Sequence, residues 1–431
     1  MAKEYYSGIQ EVLRTLVYVI SLEGKRLMPC TEAKARHLLK VNKAKCIRKE
    51  PFIIQLKFKC ENKIQPITLG VDAGSKHIGI SASTEKKELF SADVEIRQDV
   101  SKNIATKREM RRTRRNRKTR YRPARFNNRV KSKHKGWLAP SIEHKINTHI
   151  NIIDKVCNIL PITKIIVETA QFDIQKLKNP DISGKEYQQG EQLGFSNVRE
   201  YVLFRDKHTC QYCKGKSKGK VLNVHHLESR KTGGNAPNNL ITLCKTCHEK
   251  YHKGEIALKQ KRGKSYKNAT FMGIMRKTLL CRLKSKYTIP VVETYGYITK
   301  STRISLGLPK EHYVDAYCIT NNITAKRLDY YLYIKQVRRH NRQIHKMTIL
   351  KGGYRKRNQA PYEVFGFRLF DKVRVNGYVC FIFSRRLIGY FDIRSLDKTI
   401  SFNGVSYKKI NLISKRRSFL IERRLLCGNI F

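Results

Sequence analysis

The chain has 431 residues, of which 90 are Lys or Arg and 34 Asp or Glu, a formal net charge of +56. Self-repulsion of that size calls for a polyanionic partner and excludes a small-metabolite enzyme as the default reading. At 40% hydrophobic and 9% aromatic residues the chain can still bury a core, which excludes a disordered basic tail, and its length accommodates two to four domains.

In chain order, residues 1–16 read as a polar leader without a signal-peptide layout. Val17–Ile20 reads as a strand, Gly24 as a turn, and Ala33, Ala35, Leu38 and Leu39 space a helix before a strand over Phe52–Phe58, a β-α-β unit. Ile67–Asp72 has the pattern of a buried strand ending in a carboxylate and a glycine turn, followed by short strands at Ile78–Ala82 and Glu88–Ile96. From Lys107 to Lys133, 27 residues carry 14 Lys or Arg and one acid. Arg is a good helix former, so this reads as an Arg-rich helix closed near Tyr121 by Pro123. Its Arg108, Arg111, Arg112, Arg114, Arg115, Arg117, Arg120 and Arg122 are suited to bidentate phosphate contacts that give affinity without sequence specificity.

Ile142, Ile146, Ile150, Ile153, Val156 and Leu160 space an amphipathic helix, and Lys164–Glu168 is a second buried strand ending in an acid. Residues 171–198 and 253–267 read as linkers. Ile289–Thr294 reads as a strand and His312–Ile319 as the start of a helix. Basic segments follow, with Arg338, Arg339, Arg342, Arg355 and Arg357 as further nucleic-acid contacts, and the last 70 residues alternate in short runs broken by glycines, the cadence of a small β-barrel or sandwich. No stretch approaches the roughly 18 consecutive apolar residues of a membrane span, so the expectation is a soluble, cytoplasmic protein with no membrane partner.

Of 12 cysteines, eight are scattered singly, while Cys210-x-x-Cys213 and Cys244-x-x-Cys247 form two pairs 30 residues apart. Two such pairs among reduced thiols fit a tetrahedral structural Zn²⁺. His248 and His252, four apart, project from one face of a helix and with His225 could hold a divalent ion, leaving His226 as a base. This constellation resembles the HNH nucleases of the ββα-metal family over about residues 201–253. The resemblance implies that His225 and His248, with His252 in some members, hold one Mg²⁺, that His226 activates the attacking water, and that Asn239 braces the loop.

Asp72 and Glu168 end strands and Asp315 lies on a helix one turn after His312, so the three acids can converge. Clustered carboxylates raise one another's pKa unless divalent ions fill the site. Gly70-Val71-Asp72-Ala73-Gly74-Ser75-Lys76-His77-Ile78-Gly79 is similar to the first RuvC motif, Ile166-Val167-Glu168 to the second and His312-Tyr313-Val314-Asp315-Ala316 to the third. The resemblance implies an RNase H-like fold in which Asp72, Glu168 and Asp315 hold two Mg²⁺ and His312 helps activate water.

A RuvC core split in three, with an Arg-rich helix after the first motif and an HNH domain between the second and third, is the architecture shared by the CRISPR-type dual nucleases and IscB. Only about 35 residues separate Lys133 from Glu168, leaving no room for a large recognition lobe, so the chain resembles the IscB family, the OMEGA nucleases encoded by transposons. Leu27-Met28-Pro29 resembles that family's N-terminal Pro-Leu-Met-Pro domain, with Arg26 where the first Pro would stand, and Arg338–Gln343 and Lys356–Pro361 resemble its C-terminal signature. The implied layout is multi-domain α/β: leader 1–16, Pro-Leu-Met-Pro-like domain 17–63, RuvC segment I 64–100, bridge helix 101–135, RuvC segment II and linker 136–198, HNH domain 199–256, RuvC segment III and linker 257–325, RNA-interacting segment 326–360, and a β-rich domain 361–431 that reads a target-adjacent motif. The implied partners are a large structured guide RNA (omega RNA) and double-stranded target DNA, with a monomeric protein in a prokaryotic ribonucleoprotein that joins the nucleoid when bound to DNA. The HNH site would cut the guide-paired strand and the RuvC site the displaced one. Two other readings fit the same residues: a protein-only homing or junction-resolving nuclease, and an RNA-guided DNA-binding protein that does not cut.

Overall fold

The structure, a computed structural model, describes residues 16–61, 63–115, 136–170, 174–179, 181–217, 219–229, 233–263, 266–338 and 361–426. The leader up to residue 15 and the basic residues Arg117, Arg120, Arg122, Arg339, Arg342, Arg355 and Arg357 lie outside them. The chain forms two compact units, one of residues 1–170 with 272–431 and one of residues 171–271.

The first unit is built on a seven-stranded sheet in the order Val291–Thr294, Lys164–Glu168, Thr68–Ala73, His77–Ser83, Glu88–Glu95, Tyr330–Gln336, Phe419–Leu425. The Thr68–Ala73 strand runs parallel to Lys164–Glu168 and antiparallel to His77–Ser83. Its Leu69 and Val71, with Ile78, Ile80, Ala92, Val94, Ile165 and Val167, are fully buried, which is why these strands appear in the sequence as unbroken apolar runs. Helix His312–Ile319 packs on this sheet at van der Waals distance only because two strand positions lack side chains. A Cβ at Gly79 would lie 1.8 Å from the His312 carbonyl oxygen, and one at Gly70 2.1 Å from that of Ala316.

Helix Pro140–Cys157 buries Ile146, Ile153 and Val156 of the spaced positions, together with Ile152, while Ile142 and Ile150 are half-buried. A 20-residue helix over Lys267–Lys286, beginning where the expected 253–267 linker ends and not itself expected, docks through buried Met275, Leu279 and Leu283. Its Arg282 grips Glu143 bidentately at 2.7 and 2.9 Å. The N-terminal residues form a four-stranded sheet in the order Cys30–Thr31, Leu16–Ile20, Ile53–Leu56, Ala44–Arg48, with helix Glu32–Lys40 started by the Thr31 hydroxyl accepting from the Lys34 amide. The Ala44–Arg48 strand extends the expected β-α-β unit; it buries only Ala44, too little apolar pattern to be read in advance.

Residues 372–414 fold as a five-stranded antiparallel sheet around Val373, Cys380, Ile382, Phe391 and Ile393. Its first hairpin turns at Asn376-Gly377, both with positive φ, as a two-residue Asn-Gly connection requires. The expected domain over 361–431 needs one correction: its last strand, Phe419–Leu425, pairs antiparallel with Tyr330–Gln336 and completes the seven-stranded sheet.

The second unit contains helix Val198–Arg205, an antiparallel hairpin of Leu222–His226 with Leu240–Cys244, and helix Lys245–Lys253, stopped by Gly254 at φ 80. Part of the segment expected to be a plain linker is helical, at Ile174–Lys178 and Gly184–Gln188. Among the described residues no helix is long and apolar enough to cross a membrane.

One buried group links this fold to pH. His149 is 0% exposed, and its Nδ1–H donates to the Lys145 carbonyl at 2.8 Å. Burial lowers its pKa to about 4 from 6.5. A depressed folded pKa stabilises fully above the unfolded value and is lost as pH falls through the folded one. His149→Gln is therefore expected to flatten the loss of stability between pH 6.5 and 4, by up to about 3 kcal/mol, in denaturant melts across that range.

Candidate catalytic centres

In the seven-stranded sheet, neighbouring parallel strands place Asp72 directly opposite Glu168. Asp315 comes from the helix packed over them. Asp72 Oδ2 and His312 Nδ1 are 2.6 Å apart, and that bond, against the opposing effect of burial, raises the His312 pKa. Burial first, then the charges of Asp72 and Asp315, push Glu168 up to about 7 against the pull of the nearby Thr299 hydroxyl, and its buried Oε2 makes no well-formed hydrogen bond. Burial and Asp72 also raise Asp315. The first residue of helix Gly296–Ser305 contributes room: a Cβ at Gly296 would meet Glu168 Oε1 at 2.9 Å.

The expected convergence of Asp72, Glu168, Asp315 and His312 is thus found, with additions that the sequence reading lacked. Arg303 pairs its Nε with Asp315 Oδ1 at 2.9 Å. The His77 ring lies parallel to that of His312, centroids 5.2 Å and planes 3° apart, and is itself held by Asp93 Oδ1 at 3.0 Å. So two of the three acids have cationic or imidazole partners and Glu168 does not. A buried carboxylate oxygen with no well-formed hydrogen bond, raised by two neighbouring acids, is a donor that a divalent cation satisfies, and the set fits Mg²⁺.

In the second unit, the four cysteine sulfurs of Cys210, Cys213, Cys244 and Cys247 lie within 4.8 Å of one another. Four thiolates at about 2.3 Å from a common centre stand about 3.8 Å apart, so the cluster fits a structural zinc. Ser217, which the spacing did not point to, sets its Oγ 3.1 Å from Cys213 Sγ and 3.0 Å from Cys244 Sγ, where a hydroxyl can donate to thiolate. Cys244 ends its strand and starts helix Lys245–Lys253, its sulfur accepting from the Cys247 amide at 3.5 Å.

That helix carries His248 and His252 one turn apart, facing His225; nitrogens of the three rings also lie within 4.8 Å of one another. Burial first, then the three neighbouring imidazoles, lower His225 to about 4, which keeps it neutral, and its buried Nε2 has no hydrogen-bond partner. Neutral imidazoles with an unsatisfied nitrogen fit one divalent ion. His226 follows His225 on the strand, so it points to the opposite face. There its Nε2 meets Asn235 Oδ1 at 3.0 Å, a partner unmarked in the sequence. The amide oxygen only accepts, so Nε2 carries the hydrogen and Nδ1 the lone pair.

Asn239 is fully buried beneath this loop. Its Oδ1 accepts from the Glu228 amide at 2.9 Å, and its Nδ2 donates to the Glu228 and Gly234 carbonyls at 3.0 and 2.9 Å. Asn239→Ala strands three buried groups and is expected to cost about 3 kcal/mol, read as faster amide exchange across residues 227–229 and 233–235 before any change elsewhere.

Of the expected phosphate contacts, Arg108 is exposed on helix Val100–Arg115, which also carries Arg111, Arg112, Arg114 and Arg115. Arg338 is half-buried and its carbonyl accepts from Arg416.

Residues 17–190 match the family model described as RRXRR protein, and residues 210–254 that of HNH endonuclease. A curated relative, anaredoxin of Nostoc sp. (strain PCC 7120 / SAG 25.82 / UTEX 2576), is 51% identical over 37 residues, 8% of this chain and 49% of that protein. Solved structures of Streptococcus thermophilus Cas9 are similar at low identity. The complex with the AGAA PAM shares 12% identity at TM-score 0.33 over 49% of this chain, and the complex with the GGAA PAM 13% at 0.35 over 50%. The chain covers 30% of each of those proteins and about half of the curated relative.

Proposed function

We propose, from a chain that joins an RRXRR-protein segment to an HNH endonuclease domain, an IscB-like RNA-guided DNA endonuclease with two separate cutting centres. The observation that carries this reading is the pair of hydrolytic donor sets on different units: three acids with His312 on the sheet, and three histidines with His226 on the hairpin. The sheet would be a RuvC core of RNase H-like fold in three segments, and helix Val100–Arg115 the start of an Arg-rich bridge helix.

In the second unit His225, His248 and His252 would hold one Mg²⁺. His226, its ring fixed by Asn235, takes the proton of the attacking water on Nδ1 as the water oxygen bonds to phosphorus and the bond to the 3′ oxygen breaks. In the sheet Asp72, Glu168 and Asp315 would hold two Mg²⁺. Asp72 accepts from His312 Nδ1–H, which leaves Nε2 to take the proton of water there, while Arg303 opposes the rise that burial and Asp72 give Asp315. Bound Mg²⁺ stabilises charge on the leaving 3′ oxygen at either centre. Four cysteines with a structural zinc hold the hairpin. The RNA pairs with the target strand and the C-terminal sheet reads a short adjacent duplex motif, the protein acting as a monomer within a cytoplasmic ribonucleoprotein.

The test is to express the gene with its native flanking DNA, purify in high salt, and sequence the nucleic acid that stays bound. High salt strips nonspecific electrostatic binding. One discrete RNA with a variable end, programming Mg²⁺-dependent cleavage of a matching duplex, is the expected result. Cleavage that survives removal of RNA would make it a protein-only nuclease, and bound RNA with no cleavage an RNA-guided binding protein.

A further inference from the structure

Away from both centres, positive charge converges on one cavity. It measures about 370 Å³ and opens between the Ala44–Arg48 strand and residues 413–421, lined by Arg48, Lys49, Lys372, Lys415, Arg416 and Arg417. Glu50 is the one acid in the lining, and Lys372 engages it, with a second bond from Lys372 Nζ to the Ile421 carbonyl at 2.9 Å. Asp371, 0% exposed, accepts from the Arg368 and Arg416 amides. Lys155 reaches the same place from helix Pro140–Cys157, its Nζ 5.3 Å from the Phe419 ring centroid. Its acidic neighbour Asp154 is taken by Lys286 and Tyr287.

Arg48, Lys155 and Arg417 lie close enough to act on one another's charge. Burial, then Arg417, lowers the Arg48 pKa against the pull of Glu50; burial, then Arg48 and Arg417, lowers that of Lys155. Arg48 Nε is buried without a hydrogen-bond partner. Like charges brought together by a strand, a helix and a loop cost stability in the free protein, and the cost is recovered only when an anion enters.

We propose that Arg48, Lys155 and Arg417 form a pocket that seats a backbone phosphate of a folded RNA. A phosphate on a straight duplex offers one face, whereas cations closing from three directions suit one turned out at a bulge or bend. This deepens the function proposed above and rests on its nucleic-acid partner.

The experiment uses the full chain and the double variant Arg48→Gln with Arg417→Gln, alongside Lys408→Gln with Lys409→Gln, a charge-matched pair exposed outside the cavity lining. The probes are a fluorescein-labelled 40-nucleotide bulged RNA hairpin and a 40-base-pair DNA duplex, titrated across a KCl series, with thermal melts of free protein. The pocket variant is expected to keep or raise the free-protein Tm, to bind the hairpin about tenfold more weakly, and to lose about one unit of the slope of log K against log salt, with the duplex and the control pair little changed. An unchanged RNA slope, an equal loss with the control pair, or an equal loss for the duplex would overturn the proposal. So would a lowered Tm with RNA binding intact, which would make the cations structural. If wild-type protein itself binds the hairpin no better than the duplex, it is the RNA-guided reading that fails.

Discussion

Asp72→Ala is expected to leave a duplex target cut on the guide-paired strand alone, and His226→Ala to leave it cut on the displaced strand alone. Asp72 is the one acid that touches both halves of its centre: it lies opposite Glu168 in the sheet and holds His312 by a 2.6 Å bond. Removing it frees the His312 ring and takes one of three carboxylates from the ion site, so a loss of at least about 10³-fold is expected at that centre. His226 stands on the other unit, and its loss removes only the proton acceptor there, worth about 10² to 10⁴. Strand-resolved cleavage on differently labelled ends reads both outcomes. If either single change removes both cuts, the assignment of two independent centres is wrong.

Removing the zinc that Cys210, Cys213, Cys244 and Cys247 fit is expected to unfold residues 171–271 while the seven-stranded sheet stays folded. The hairpin holds its cysteine end at Cys244 opposite Leu222 and its histidine end at Leu240 opposite His226. Its small core is Cys210, Ile241, Leu243, Cys244 and Cys247, so three of five buried members are the ligands themselves. A structural zinc contributes about 10 kcal/mol or more, beyond what so small a core supplies alone. Cys244→Ser, or a strong chelator, should therefore collapse amide protection in the hairpin and abolish the cut that depends on His226. Displaced-strand cleavage, supported by the other unit, should persist. Retained protection after complete metal removal would show that the thiols are ordinary core residues.

Much of both centres could be read from the sequence because their residues terminate strongly patterned elements. Asp72 and Glu168 each close a run of apolar residues buried on both faces, and the cysteine pairs and histidines recur at spacings that suit metal ligands. Of the glycines that break the last 70 residues, Gly377 turns a hairpin together with Asn376, both at positive φ. The residues that were missed act across the fold. Arg303 meets Asp315 twelve residues on, His77 stacks on His312 from another strand, and neither has a local pattern that separates it from the chain's many other basic residues. Asn235 and Ser217 lie in turns where polar residues are ordinary. Helix Lys267–Lys286 has Met275, Leu279 and Leu283 in register, yet its flanking lysines and glycines blend into the linker before it. The final strand resembled the small sheet that precedes it, and only pairing partners distant in the chain decide which sheet takes it.

That final strand has an evolutionary consequence. Phe419–Leu425 lies against Tyr330–Gln336, so everything between them departs from and rejoins the sheet at adjacent positions. The same holds on the other side, where Val291–Thr294 returns beside Lys164–Glu168. To the sheet both excursions are the tips of overgrown loops, and lengthening such a tip adds closure entropy only logarithmically. Recombination can thus exchange either cassette, or enlarge it severalfold, while the ladder that aligns Asp72 with Glu168 keeps its register.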